Sequence, residues 1–255
     1  MNNLPPGRPL LGLLRSLLIY YGVPGRVCAM RRLFASFLGP GEVAFDVGAH
    51  VGSRVRAMRA LGARVIAIEP QPLLARWLHA VYGRDPYVTI LPAAVGQAET
   101  EACLFVSSRT PTVSTLSPSW MEAVARVPSF AGVQWDTAVP IKVTTLDALA
   151  TVYGRPAFCK IDVEGYETAV LQGLSRPLPA LSFEYVPVVK ERAVACVCRL
   201  CELGTYRFNW SSGETHKLQS PYWLTAAEIT AVLQQMTQTD KSGDVYARLE
   251  GGLEN

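Results

Sequence analysis

Four carboxylates, Asp46, Glu69, Asp162 and Glu164, stand beside glycines or at the ends of short apolar runs, positions from which a side chain can meet a ligand. In Val43-Ala44-Phe45-Asp46-Val47-Gly48-Ala49-His50-Val51-Gly52, an apolar run with one acid leads into a turn with glycines at 48 and 52. Glycine permits either hand of backbone and leaves the peptide N–H groups bare to a ligand. A dinucleotide turn needs G-x-G-x-x-G, but here the spacing is D-x-G-x-x-x-G and His50 holds the place of the second glycine. Asp46 beside the turn repels a diphosphate and attracts an ammonium group. Glu69 follows Gly48 at close to the roughly 20 residues that separate such a turn from the acid that binds a ribose diol. A ligand with adenosine at one end and an amino acid at the other meets both conditions, and S-adenosylmethionine is such a ligand. Asp46, Gly48, Ala49, His50 and Gly52 then hold its methionine end, and Glu69 with Pro70 its ribose. Farther on, Lys160-Ile161-Asp162-Val163-Glu164-Gly165 puts two more acids next to a glycine.

These residues need a scaffold that brings them together. Val43 to Val47, Arg64 to Ile68, Tyr87 to Leu91, Phe158 to Val163 and Ala180 to Tyr185 read as buried parallel strands, each a short apolar run. Helices are expected over 53–61, 73–82, 146–153 (capped by Thr145), 166–174 (opened by Glu167), 188–203 (ended by Gly204) and 224–236 (capped by Thr225). An added antiparallel strand is expected over 101–107, further strands over 141–144 and 245–249, and a weak hairpin joining 206–210 to 217–218. Strand and helix alternate, so the fold class is α/β: a doubly wound, mostly parallel sheet of Rossmann-like class. In such sheets ligands bind outside the carboxyl ends of the strands, which brings Asp46, Glu69, Asp162 and, near them, Glu184 to one rim.

The strings FDVGAHVG, IAIEPQP, AAVG, VTTLDAL and KIDVEGYE, in that order, resemble the FkbM family of S-adenosylmethionine-dependent methyltransferases. The resemblance runs from about Gly41 to about Glu184, with KIDVEGYE its most specific part. It departs at His50, where many relatives carry Asn. The resemblance implies O-methylation of sugars and other secondary metabolites, and it places Ala93 and Ala94 against the adenine. Asp162 and Glu164 are the candidate bases for the acceptor hydroxyl, with His216, in a loop, behind them. No metal is expected, although a divalent cation bridging the two acids is the rival explanation. Two alternatives remain: a nicotinamide-dependent oxidoreductase on the same sheet, which His50 and Asp46 disfavour, and a non-catalytic protein that binds S-adenosylmethionine.

Residues 1–40 read as a helical cap, with an amphipathic helix over 10–20 and a second over 24–37; residues 41–255 form the catalytic domain, with a lid over about 108–139. The lid is rich in Pro, Ser, Thr and Trp and is expected to carry Thr112, Ser114, Thr115 and Trp135 towards cofactor and acceptor. Arg15 interrupts the apolar run near the N-terminus, no cleavage site follows, and the run is too short for the roughly 20 residues of a membrane span. Packing of this helix on the domain is preferred over peripheral membrane contact. A net charge of +3, evenly spread, does not point to nucleic acid. Six cysteines without a signal peptide point to a reducing, cytoplasmic setting, and Cys196, Cys198 and Cys201 lack a fourth partner for zinc. Residues 251–255 are expected to fray.

Overall fold

The computed structural model describes residues 8–127 and 130–251. Its centre is a seven-stranded sheet in the order β3-β2-β1-β7-β8-β10-β9, formed by β1 (Val43–Val47), β2 (Arg64–Ile68), β3 (Val88–Leu91), β7 (Phe158–Ile161), β8 (Ala180–Tyr185), β9 (Tyr206–Ser212) and β10 (Gly243–Leu249). The first five of these in spatial order run parallel, while β10 is antiparallel to both β8 and β9. A smaller sheet has the order β4-β6-β5, from β4 (Ala94–Val95), β5 (Thr100–Val106) and β6 (Thr137–Thr144).

Side-chain alternation sends the two faces of each strand into two cores. Phe45 and Val47 pack with Ile161 of β7, Val170 and Leu171 of α7 (Glu167–Gln172), and Leu200 of α8 (Lys190–Leu203). Their neighbour Ala44 faces the other way, onto Phe34 of α2 (Arg26–Phe34) and Met58 of α3 (Ser53–Arg59). Helices therefore cover both faces, with α4 (Pro72–Tyr82) on the side of α3, and α6 (Leu146–Tyr153) and α9 (Ala226–Gln235) on the other. The chain reverses its winding between β1 and β7, the switch point where such sheets bind ligands.

Local signals set several boundaries as the sequence implies. Thr145 caps α6 by accepting from Ala148 N, and Thr225 with Glu228 forms a capping box on α9. Gly204 does end α8 as expected, in extended geometry. Other expectations fail. Lys217 to Leu218 is not a strand: β9 pairs with β10, and residues 213–215 form a 3-10 turn. The expected lid is ordered structure as well as loop: a 3-10 turn at Pro111–Val113, α5 (Pro118–Val124) and the start of β6. Of the expected frayed end, residues 252–255 lie outside the described residues.

The cysteines are free, with Cys196 buried and Cys198 and Cys201 exposed on α8. The first helix, α1 (Arg8–Tyr21), sets Leu13 against Val51 and Leu74. α2 buries one face through Met30, Leu33 and Phe34: Phe34 packs on Phe158, and beyond the helix Phe37 stacks on Phe158 and Tyr246. No helix among the described residues is long and apolar enough to cross a membrane.

Candidate active site

A cavity of about 1040 Å³, counted to its open mouth, lies at the carboxyl ends of β1, β2, β7 and β8. Val47 and Gly48 line it from β1, Ile68 and Glu69 from β2, Asp162 and Val163 from β7, and Glu184 from β8. Because β10 is antiparallel, its beginning reaches the same rim and contributes Gly243 and Asp244.

The turn after β1 is fixed by its backbone. Gly48 has φ +84, and a Cβ there would collide with the carbonyl oxygen of Asp162, so the glycine is required where the ends of β1 and β7 meet. Gly48 N and Ala49 N both donate to Ile68 O, at 2.9 and 3.0 Å. His50 follows at φ +51, left-handed without being glycine, and its N–H donates to Glu69 Oε2 at 2.8 Å. Gln71 N donates to the other oxygen of Glu69, also at 2.8 Å. Glu69 thus ties the two turns together while lining the cavity. Burial raises its carboxyl to about 7, against the pull of those two N–H groups.

His50 lines the cavity beneath α1: its Nε2 lies 3.3 Å from Ser16 Oγ, and Tyr20 meets its ring edge-on. Burial, then Arg54, lower its pKa to about 4, so the imidazole is neutral at physiological pH. Its Nδ1 is buried without a protein partner among the described residues. Asp46 lies behind the turn, with both oxygens buried and likewise unpartnered, and burial raises it to about 6.

The floor is a chain of buried charges. Arg54 Nη2 is 2.7 Å from Asp162 Oδ2, Lys160 Nζ is 3.6 Å from the same oxygen, and Lys160 reaches Asp244 Oδ1 at 2.9 Å. Burial alone would raise Asp162, but Lys160 and Arg54 overcome it and hold the carboxylate below its ordinary range. Its neighbours behave oppositely. Glu164 and Glu184 are raised well above the usual carboxylate range, first by burial; the negative charges of Asp162 and Glu167 then raise Glu164, and those of Glu164 and Asp162 raise Glu184. One oxygen each from Asp162, Glu164 and Glu184 lies within 4.8 Å of the others.

Glu164 is held in a left-handed conformation at φ +53. Thr115 Oγ1 donates to its carbonyl at 2.6 Å, and Glu167 Oε1 accepts from Val163 N and Gly165 N at 3.1 and 3.2 Å. Gly165, at φ +86, lies against Trp120, where a Cβ would collide with the indole.

Of the expected cofactor residues, Gly48, His50, Glu69, Pro70, Ala93, Ala94 and Asp162 line the cavity, while Asp46, Ala49 and Gly52 do not. Gly52 faces Leu78 and Tyr82 of α4 instead. Asp162 and Glu164 are walls of the cavity, but His216 is not. It is buried, with Nε2 3.4 Å from Glu214 Oε2, and Glu214 is the residue that reaches the cavity. Thr112, Ser114 and Thr115 line the cavity as expected of the lid; Trp135 does not, and its indole donates to Val113 O at 2.8 Å. Sequence reasoning missed Arg54, Lys160, Asp244, Glu214 and Tyr20. Lys160 could have been suspected, since a lysine inside an apolar strand needs a buried partner; the others carry no local signal.

The description of the methyltransferase FkbM domain matches residues 46–193, more than half of the chain. The chain belongs to that family. No curated protein sequence matches it significantly. Among solved structures it is similar to an O-methyltransferase from Bacillus cereus in complex with S-adenosylhomocysteine, at 14% identity over 94% of this chain and 90% of that one, with a TM-score of 0.46. A precorrin-6y C5,15-methyltransferase from Geobacter metallireducens aligns at 14% identity over 88% and 87%, with a TM-score of 0.44. The 23S rRNA methyltransferase ErmE aligns at 10% identity over 89% and 70%, with a TM-score of 0.42.

This FkbM-family protein is an S-adenosylmethionine-dependent methyltransferase. Its cavity suits the cofactor chemically. Glu69 offers acceptor lone pairs to a ribose diol, Ala93 and Ala94 leave room for a flat base, and the ionised Asp162 faces the cavity as a counter-charge for a cation. Buried polar atoms without protein partners, Asp46 Oδ1 and Oδ2 and His50 Nδ1, cluster at the same turn.

Proposed function

We propose that this protein methylates a hydroxyl group on a small molecule, a sugar or another secondary metabolite, with Glu164 as the base. One observation supports the reading above the others: the rim carboxylates divide into an ionised Asp162, clamped by Arg54 and Lys160, and a Glu164 raised well above its usual range. A base works best when its pKa lies near the operating pH, and positioned proton transfer contributes roughly 10²–10⁴ in rate. Asp162, held ionised by two cations, is a poor base and a good fixed anion. Glu164 has the proton affinity that Asp162 lacks, and the turn bonded by Thr115 and Glu167 fixes its position.

S-adenosylmethionine supplies a methyl group on a positively charged sulfur. The residues of this chain then have three tasks. Gly48, His50 and Glu69 orient the donor; the ionised Asp162 is a fixed counter-charge to it; Glu164 takes the hydroxyl proton as oxygen attacks. Alignment of acceptor and donor supplies the remainder. Tyr20 of α1 and Thr112, Ser114 and Thr115 of the lid wall the acceptor side.

A second reading follows from the spacing of Asp162, Glu164 and Glu184: oxygens within 4.8 Å of one another suit a hard divalent cation, which would acidify the hydroxyl instead. Release of S-adenosylhomocysteine, followed over a panel of hydroxyl-bearing sugars and polyketides, separates these readings. With Glu164 as base, Glu164→Gln lowers kcat by roughly 10²–10⁴, cofactor affinity is kept, and activity survives EDTA. Full activity in Glu164→Gln removes the residue from the chemistry. Loss of activity with EDTA, restored by a divalent ion, establishes the metal reading. Cofactor binding without turnover of any acceptor would favour a non-catalytic protein.

A further inference from the structure

The helix α1 has two faces, and the cavity uses one. Gly12, Leu13, Ser16, Leu17 and Tyr20 face the protein: Leu13 packs on Val51 and Leu74, Ser16 meets His50, and Tyr20 lines the cavity. The opposite arc carries Leu10, Leu11, Leu14, Leu18 and Ile19, which are between 41 and 72% exposed, with exposed Val23 just past the helix end. A surface helix ordinarily turns its polar side to water. Here the outer arc is apolar, broken only by Arg15, which hydrogen-bonds Thr110 Oγ1. Six of the ten large exposed hydrophobics among the described residues fall in this one stretch, so they form a patch and not the scattered leucines of an ordinary surface.

Positive charge is concentrated in the N-terminal segment, against the even spread expected from the net value. The first 41 residues contain five arginines (Arg8, Arg15, Arg26, Arg31 and Arg32), no lysine and no acid. With 24 basic and 21 acidic residues in the whole chain, the remainder carries 19 basic and 21 acidic. The chain is therefore a slightly acidic body with a strongly basic, apolar-faced end. Arg31 and Arg32, on α2, are exposed.

We infer that the outer face of α1 docks on an anionic lipid surface, with its leucines in the interface and the exposed Arg15, Arg31 and Arg32 against the headgroups. The sign of the charge selects this occupant. A second copy on the same face would bring the exposed Arg15, Arg31 and Arg32 of each copy towards one another, whereas an anionic bilayer complements both the apolar arc and the charge. At 14 residues α1 is about 21 Å long, short of the roughly 30 Å hydrocarbon core, so it lies in the plane of the interface. Its inner face roofs the cavity, and docking would set that roof against the membrane. The inference does not depend on which group the enzyme methylates, because the exposed arc is outside the cavity.

The test is co-sedimentation of the full chain with phosphatidylcholine vesicles containing about 30 mol % phosphatidylglycerol, at roughly 50 and 500 mM salt. Binding to the anionic vesicles at low salt is expected, weaker at high salt and on pure phosphatidylcholine. The double variant Leu14→Glu/Leu18→Glu is expected to lower vesicle affinity at least about tenfold, with thermal midpoint and S-adenosylmethionine affinity unchanged, since both side chains face solvent. A second variant, Arg31→Glu/Arg32→Glu, leaves α1 intact and reads the charge alone; it too must weaken binding. The inference is overturned by absence of binding to anionic vesicles at low salt, or by binding that both variants retain. Concentration-dependent self-association in analytical centrifugation, abolished by the leucine variant, would assign the face to a second copy instead.

Discussion

Replacing Glu69 tests the site and the scaffold together, because this carboxylate serves both. It is 2% exposed, and its two oxygens accept the backbone N–H groups of His50 and Gln71, both at 2.8 Å. Glu69→Ala leaves two buried donors without an acceptor, at roughly 1–3 kcal/mol each. Against this stands relief of a buried charge. The carboxyl is held at about 7, from an ordinary 4.5, so above the higher value the folded state carries a burden of about 2.5 pKa units, roughly 3 kcal/mol. The sign follows from the direction of the shift: below pH 4.5 the group is protonated in both states and costs nothing, and stability declines as pH rises from there through about 7.

The expected outcome has two parts. At pH 5, where the folded carboxyl still holds its proton, Glu69→Ala is less stable than the wild type. By pH 8 the difference shrinks or reverses, as urea unfolding of both proteins across that range would report. In the same folded variant, calorimetry is expected to show S-adenosylmethionine affinity weaker by about 1.5–3 kcal/mol, the loss of a hydrogen bond to a charged group. Unchanged affinity would remove Glu69 from the ribose, and a pH-independent stability difference would refute the argument from burial.

Three further outcomes follow. Asp162→Asn leaves Arg54 buried without its anion, while Lys160 keeps Asp244, and should destabilise the fold by about 3–5 kcal/mol, seen as a lower urea midpoint, so its activity loss must be read at matched folded fraction. Gly48→Ala should cost about 1–3 kcal/mol for the collision with Asp162 O and about 1 more for the left-handed backbone, so lost cofactor binding there is expected to come with a lowered thermal midpoint; a variant of normal stability that fails to bind would contradict the packing account. Asp46, raised from 3.8 to about 6, makes the fold lose roughly 3 kcal/mol as pH rises through that interval, and Asp46→Asn should flatten that part of the stability profile in thermal melts taken from pH 4 to 7.

Much of the scaffold is written locally. Apolar runs of strand length, a threonine three residues before the N–H it accepts, and a glycine turn between strand and helix are neighbourhood signals, and β1, β2, β7, β8, α6 and α9 form where those signals lie. The acids at the strand ends follow, because a parallel sheet delivers the last residue of every strand to the same edge: Glu69, Asp162 and Glu184 meet although they are far apart in the chain. Pairings without a local mark were decided only by the tertiary structure. The segment after β9 suggested a hairpin, yet β9 pairs with β10 because the edge of the sheet offers a longer partner than Lys217 and Leu218 could. Trp135, read as a cavity residue from its place in the lid, is held away by its bond to Val113. Above all, the division of labour among the carboxylates is tertiary. Asp162 and Glu164 are two residues apart and alike in sequence, but Arg54 from α3 pairs with Asp162, while Glu164 is buried beside that negative charge. A carboxylate's charge depends on which distant side chains share its low-dielectric surroundings, and spacing along the chain carries no record of them.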